Sequence, residues 1–406
     1  MIGAQSQISL LVLYANYTDR LSYYDDWLDA FRTSELFAAN CIDIVTSEAP
    51  ERVRSALRSV DAIVLLHSTN GDTTVYLEPL LEVLADRRQP LLSFVGNEVN
   101  LPGSPISEKR QVFSMLRPQW VATQLLPEAG HYLFGDLAER VVAIPHALNP
   151  SVYWPETPSE ARPIDIGAKA VRYLPHLGDV DRNRVLDFFD TCGPELGLST
   201  DISDHRVNRE GWAAFLNTCK ATVATEAGSW FLERGDQTVN AIREHVLRRS
   251  ALTIRNDSPL RTWGHKLPWW ARQAARKLLA GNLIKHEALV NEGLDAQEIL
   301  DTFFARREKP DVYGKCISSR HFDAAGTKTC QIMIPGRFND ILLAGEHYIA
   351  LAPDFSNVDD VVVQFKDVAM RRRIVDRAYD LVMDGHTYAH RMRQVYDVLS
   401  SRAGVR

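Results

Sequence analysis

Hydrophobic and polar positions alternate along the first 150 residues in two distinct rhythms. Short, nearly unbroken apolar runs recur at Ser9–Ala15, Ile42–Thr46, Ala62–His67, Leu91–Val95, Trp120–Ala122 and Val141–Ile144, the signature of strands buried on both faces. Between them lie amphipathic stretches: Tyr24–Phe31, with Trp27, Leu28 and Phe31 at helical spacing, then Pro50–Arg58 and Val75–Arg87. This alternation predicts a doubly wound half, a parallel sheet covered by helices.

The pattern breaks at Pro145–Pro163, where five prolines fall in one short segment and read as a linker. Strand and helix signals then start afresh: a strand at Asp165–Gly167, a helix at Asp181–Phe189, a strand at Thr222–Thr225, a helix near Asp236–Arg248 and a strand at Ala251–Ile254. A second sheet is implied. From Val358 to Ser401 the period is helical, with Val375, Ala378, Tyr379 and Val382 on one face and Arg371 to Arg373 and Arg377 on another. A final helix of that length can cross back to the first half.

Composition narrows the classes open to this chain. With 406 residues, 45% hydrophobic and 24% charged, it can bury two cores. The net charge of −6 supplies no basic field for nucleic acid. Five cysteines, Cys41, Cys192, Cys219, Cys316 and Cys330, lack paired spacing, which argues against a disulfide framework or zinc knuckle and for a reducing, cytoplasmic setting. The apolar stretch Ile8–Tyr14 has no preceding Lys or Arg and reads as a first strand rather than a leader. No apolar run reaches the ~18 residues a membrane span needs.

Several segments carry a family likeness. Ile144-Pro-His-Ala-Leu-Asn149, followed by Tyr153-Trp-Pro155, resembles the motif that closes the first domain in retaining, family 4-like glycosyltransferases. Ser318-Ser-Arg-His-Phe-Asp-Ala-Ala-Gly-Thr327, then Cys330 to Gly336, Gly345-Glu-His-Tyr-Ile349 and Asp354-Phe-Ser-Asn357, looks like the donor-binding end of those enzymes. The resemblance implies the GT-B fold, two facing Rossmann-like domains: 1–155 on the acceptor side, 156–385 on the nucleotide-sugar donor side, and a helix over 386–406 packing back on the first. It also implies transfer of a sugar from a nucleotide diphosphate donor to an acceptor hydroxyl, with retention, without a metal or other cofactor, in a setting such as surface-glycan assembly. Two departures stand out. The family's pair of acids eight positions apart falls on Lys315 and Asp323, and no glycine-rich loop follows the first strand, since Tyr14 to Trp27 holds no glycine.

On this likeness the donor site is expected around Ser318, Ser319, His321, Asp323 and Thr327, because a helix N-terminus binds phosphate and a carboxylate can accept both ribose hydroxyls. Asp323 is the expected ribose ligand, or else a first-turn acid that favours the helix dipole. Charge grows on the departing diphosphate, so a fixed cation is worth most in the transition state. Arg320 and Arg172 are the candidates, with Lys169 able to serve instead. Glu226 follows an apolar strand, Cys219 to Ala224, at the edge where open α/β sheets bind ligands; it reads as a donor contact or a turn cap. In the first half, His67 and Glu98 end strands that would face the cleft and could orient or deprotonate the acceptor, although the leaving phosphate can take that proton.

Two other readings keep the fold: a binding protein without turnover, which Lys315 favours, and a nucleotide-sugar epimerase. A dehydrogenase is disfavoured because neither first strand is followed by the dinucleotide glycine fingerprint. The acceptor class stays open among glycans, lipid-linked sugars and small molecules. Residues 261–285 place Trp263, Trp269 and Trp270 among six basic residues and no acid. They read as a helix packed on the second half, or as a peripheral contact with anionic lipid at the inner face of a membrane.

Overall fold

The computed structural model describes residues 7–18, 21–249, 253–254, 285–286 and 295–401. Six strands form the first sheet: β1 (Ile8–Tyr14), β2 (Phe37–Asp43), β3 (Ala62–Leu65), β4 (Leu91–Phe94), β5 (Trp120–Thr123) and β6 (Arg140–Ala143). All are parallel, in the order β2-β1-β3-β4-β5-β6. Side chains alternate across the strands as the pleat requires. Leu11, Leu13, Ile63 and Leu65 fill one core, while Leu10, Val12, Val64 and Leu66 fill the other. Five helices connect the strands: α1 (Ser22–Thr33), α2 (Ala49–Ala56), α3 (Leu81–Ala85), α4 (Ile106–Leu116) and α5 (Pro127–Phe134).

The second half repeats the plan. Strands β7 (Ile164–Lys169), β8 (Thr200–Ser203) and β9 (Cys219–Ala224) alternate with helices α6 (Asp181–Cys192) and α7 (Arg209–Leu216). After a two-residue β10 (Ala227–Gly228) come α8 (Gln237–Arg249), the pair β11 (Thr253–Ile254) and β12 (Lys285–His286), and α9 (Ala296–Phe303). Then β13 (Lys315–Cys316), α10 (Ser319–Gly326), β14 (Cys330–Met333) and β15 (Ile349–Ala350) complete the α/β unit. The five-stranded parallel sheet runs β15-β14-β9-β7-β8. Three helices close the chain: α11 (Val358–Lys366), α12 (Val368–Gly385) and α13 (Tyr388–Ser400). Two parallel sheets with this order and a returning helix make the fold GT-B, as expected.

The return is explicit. Tyr388, Met392, Val395 and Leu399 on α13 pack with Trp27, Leu28 and Phe31 of α1 in the first half's core. Where the chain crosses back, Leu148 N–H donates to His386 O at 2.9 Å and Tyr388 N–H to Leu148 O at 3.0 Å. Buried Arg391 donates to Pro145 O at 2.8 Å. The linker and the crossing therefore form one hydrogen-bonded strap.

Elsewhere the sequence expectations shift. The strand expected at Ile42–Thr46 lies earlier, at Phe37–Asp43, because β2 is an edge strand whose exposed positions Ala38 and Asn40 interrupt the apolar run. The helix expected over Val75–Arg87 shrinks to a 3₁₀ turn at Glu78–Leu80 and the short α3. Pro79 lacks the N–H an earlier start would need. The strand expected at Ala251–Ile254 is seen at Thr253–Ile254, paired with β12 among the described residues. Arg371, expected on the polar face of the tail, is buried and donates to Phe365 O. The tryptophans and cations of 261–284 fall outside the described residues. No described helix is long and apolar enough to cross a membrane.

Beyond α13 and the strap, specific contacts join the two halves. Asp236, at φ 56°, reaches from the second half to cap α4, accepting from Ile106 N at 3.1 Å, Ser107 N at 2.7 Å and Asn100 Nδ2 at 2.6 Å. Leu232 enters the first half's core. Arg337 pairs with Glu128 at 2.9 Å, Asn339 Nδ2 donates to Gln124 O at 3.0 Å, and Arg209 bridges to Asp26 at 3.3 Å and Asp29 at 2.6 Å.

Candidate functional site

In the second sheet the strand order reverses between β7 and β9, and ligands of open α/β folds bind beyond the C-terminal ends of such strands. A cavity sits there, lined by Lys169, Arg182, Trp212, Thr225, Ser318, Arg320, His321 and Gln331. Its mouth is the N-terminus of α10. Ser318 caps that helix in a capping box with His321: Ser318 N–H donates to His321 Nδ1 at 2.9 Å. With Nδ1 accepting, the ring proton belongs on Nε2, which is buried without a partner. Burial, and then nearby Arg182, pull the His321 pKa down to about 3. His321 is thus a neutral ring with an unused N–H at the cavity.

Cations converge on the same place. Arg320 Nη1 donates to the Lys169 carbonyl, and its guanidinium lies 4.9 Å from the Trp212 ring centroid. Burial, followed by the charges of Arg182 and Arg206, lowers its pKa to about 10. Arg182 sits 3.9 Å over the Tyr173 ring, and Arg206 Nε is buried without a partner. Among the described residues none of these three arginines has a carboxylate at ion-pair distance. The neighbouring cations differ. Lys169 pairs with Asp201 at 2.5 Å, and Arg172 pairs with Asp187 at 2.5 Å. Arg172 is therefore occupied on the outside of α6 rather than aimed at the cavity.

The acids are placed differently from expectation. Asp323 is 1% exposed and absent from the cavity wall; Trp212 Nε1 donates to its Oδ2 at 3.0 Å while Oδ1 has no partner. Burial, and then the nearby Asp26 carboxyl, hold its pKa well above the usual range. Glu226 turns from the cavity edge toward Tyr313 and the backbone N–H of Phe338, 2.6 Å away, and so ties down the loop at 336–338. Burial raises its pKa. Lys315 is 2% exposed and forms a buried ion pair with Asp179. Thr327 lies at the opposite end of α10, its hydroxyl donating to Asp323 O at 3.1 Å. Ser319, the first residue of α10, is buried beside the cavity's Ser318.

Neither first-half candidate offers a free base. His67 is fully buried among Trp27, Phe94 and His146, with ring centroids 5.2, 4.8 and 5.1 Å away. Burial and His146 keep it neutral. Glu98 accepts from Thr123 Oγ1 at 2.5 Å and Gln124 N at 2.7 Å, and burial pushes its pKa up to about 7. Its carboxyl serves its own sheet.

The structure thus brings together Lys169, Ser318, Arg320 and His321 of the expected set, and separates Arg172, Asp323, Thr327, His67 and Glu98 from them. Sequence reasoning missed Arg182, Arg206 and Trp212. Arg182 opens a helix that follows a strand of the second sheet, which is a usable signal; Arg206 carries none. No three metal-ligating side chains gather among the described residues.

Comparison with known proteins adds three findings. Residues 243–397 match a family model described as glycosyl transferase-like. No curated protein sequence matches the chain. Among solved structures, Anabaena HepE in complex with UDP and glucose aligns at 12% identity with a TM-score of 0.50, over 97% of this chain and 100% of that one. The HepE complex with UDP-glucose aligns at 10% identity with the same TM-score and coverage.

Proposed function

We propose that this chain is a glycosyltransferase and that the arginine cluster at α10 holds the diphosphate of its nucleotide-sugar donor, a reading supported by the glycosyl transferase-like match over residues 243–397 and by the two-sheet frame. The observation that carries this reading is the convergence of Arg182, Arg206 and Arg320, none of them with a carboxylate at ion-pair distance among the described residues. Like charges brought together in a half-buried site raise one another's energy, and a bound polyanion relieves that cost. The α10 N–H groups and His321 Nε2–H add hydrogen-bond donors aimed at phosphate oxygens.

The chemistry follows from that arrangement. An acceptor hydroxyl oxygen bonds to the sugar's anomeric carbon as the bond from that carbon to the diphosphate oxygen breaks. The arginines stabilise the charge that builds on the departing diphosphate, without need of a divalent cation. The hydroxyl proton passes to a phosphate oxygen on the same side, which gives retention. Buried His67 and engaged Glu98 support this route, because neither stands ready as a base. HepE is bound to UDP and UDP-glucose in its solved complexes, so UDP is the first donor nucleotide to try.

The test is a thermal-shift series with UDP, GDP, CDP, ADP and dTDP. One diphosphate at ~100 times its dissociation constant adds ~2.7 kcal/mol of stability, and Arg320→Ala removes the shift. A wild-type chain indifferent to all five overturns the reading. The buried Lys315–Asp179 pair, where the resembling enzymes carry an acid, favours a second reading, a binding protein without turnover. It predicts the same diphosphate shift with no release of sugar from the donor, in the presence or absence of acceptor.

A further inference from the structure

Long, flexible arginines need partners to hold them in one direction, and among the described residues Arg320 has no acid at ion-pair distance to do so. Helix α7 offers aromatic faces instead. Trp212 and Phe215 leave it three positions apart, with ring centroids separated by 5.9 Å and planes 25° from parallel. A cation lies over each ring: the Arg320 guanidinium is 4.9 Å from the Trp212 centroid, and Lys169 Nζ is 4.6 Å from the Phe215 centroid. Arg320 Nη1 also donates to the Lys169 carbonyl, which ties the two cations together. Trp212, Lys169 and Arg320 all line the cavity.

The indole is itself fixed from behind. Asn208 caps α7, accepting from Gly211 N at 2.9 Å, and Trp212 packs in one core with Leu216, Ile317 and Phe322. Packing alone leaves a flat ring free to slide, but Trp212 Nε1–H donates to Asp323 Oδ2 at 3.0 Å. Arg320 and Asp323 stand three positions apart on α10, where side chains are neighbours. They meet the same indole differently, the guanidinium over its face and the carboxyl at its edge. Asp323 is 1% exposed and lies outside the cavity wall, so its carboxyl reaches the site only through Trp212.

An aromatic face attracts a guanidinium through the ring quadrupole and leaves the N–H groups at its rim unspent. A carboxylate would hold the same group by consuming the paired donors that a phosphate needs, and would cancel its charge. We propose that Trp212 is the positioning residue for Arg320 and that Asp323 acts through the indole, so that the guanidinium is aimed before the diphosphate arrives. The proposal rests on reading the cavity as the diphosphate site, and it gives Asp323 a role other than the ribose ligand expected from sequence.

The test is calorimetric titration of the full chain with UDP, GDP, CDP, ADP and dTDP, continued with a diphosphate that binds wild type. Trp212→Leu weakens binding at least fivefold, and Trp212→Phe, which keeps a ring face, weakens it less. Asp323→Leu weakens binding at least threefold, whereas Asp323→Asn, whose amide oxygen still accepts from the indole, stays within twofold of wild type. Arg320→Lys keeps the charge, so that binding remains measurable, but lacks the planar fork. On that background Trp212→Leu costs less than a further twofold, because the group it aimed is gone. Should Trp212→Leu not fold, Asp323→Leu, close in volume, carries the same cycle. Losses at 212 or 323 that multiply in full with Arg320→Lys overturn the proposal, as do a Trp212→Leu chain that binds like wild type and an Asp323→Asn chain that loses as much as Asp323→Leu. A wild-type chain indifferent to all five nucleotides instead removes the donor reading, and the positioning role falls with it.

Discussion

Arg182 stands among like charges, Arg206 and Arg320, that the proposed diphosphate would relieve. Replacing it exposes both sides of that bargain. Arg182→Met raises the ligand-free melting temperature, because one member of a repelling trio is gone, while weakening diphosphate binding at least tenfold. Calorimetry with and without the nucleotide reads both effects. Asp26 gives a second single-residue test. Burial pushes its carboxyl from the usual carboxylate range up to about 7, with the Asn149 amide and Arg209 pulling the other way. A raised acid pKa means that the fold prefers the neutral form. The stability this group contributes is full below pH ~4 and is lost as pH rises through ~7. Asp26→Asn does not titrate, so its melting temperature relative to wild type climbs from pH 4 to pH 8. A flat difference would show that the carboxyl is already ionised at low pH. At this scale the sequence was half legible. Ser318, Arg320 and His321 stand at a recognisable helix start and Lys169 at a strand end, whereas Arg206 is a lone arginine in a polar loop whose meaning exists only after the chain has folded.

Secondary elements were readable wherever burial was complete on both faces. The strands β3, β4 and β5 are four-residue runs, all buried and apolar but for Ser93 and Thr123, and their limits follow from the sequence within a residue or two. The strand β8, a partly exposed Thr-Asp-Ile-Ser edge, and the eight-residue α7 are too short and too mixed to announce themselves. The last helix shows what an amphipathic face contributes. Met392 is 2% exposed within the first half's core, and Met392→Ala costs about 2–5 kcal/mol through lost burial and the cavity it leaves. Denaturant unfolding followed by near-ultraviolet signals from Trp27 and Trp120 would register it. An unchanged midpoint would mean that α13 does not support the first half.

Besides the packing of α13, the halves are joined by polar contacts that can be removed one at a time. Asp236 is the most economical of them, because one carboxylate satisfies the start of a helix on the other side of the cleft. Asp236→Ala removes that cap, leaves Ile106 N–H and Ser107 N–H without it, and costs about 1–2 kcal/mol. We expect a larger radius of gyration by small-angle scattering as the cleft widens, and a curve that superposes on wild type would assign the latch to other contacts. The likeness in sequence anticipated two facing domains. It could not anticipate which residues join them, because those pairs, such as Asn100 with Asp236, are separated by more than a hundred positions.

The placement of α13 also sets an order of events during synthesis. Trp27, Phe31 and the outward side of β1 leave the ribosome early, yet the helix that shelters them follows only after the entire second half. Until then the nascent first sheet shows water a greasy flank. Holding that flank apart from its counterparts on neighbouring nascent chains becomes a task for the cell's folding helpers rather than for the sequence alone.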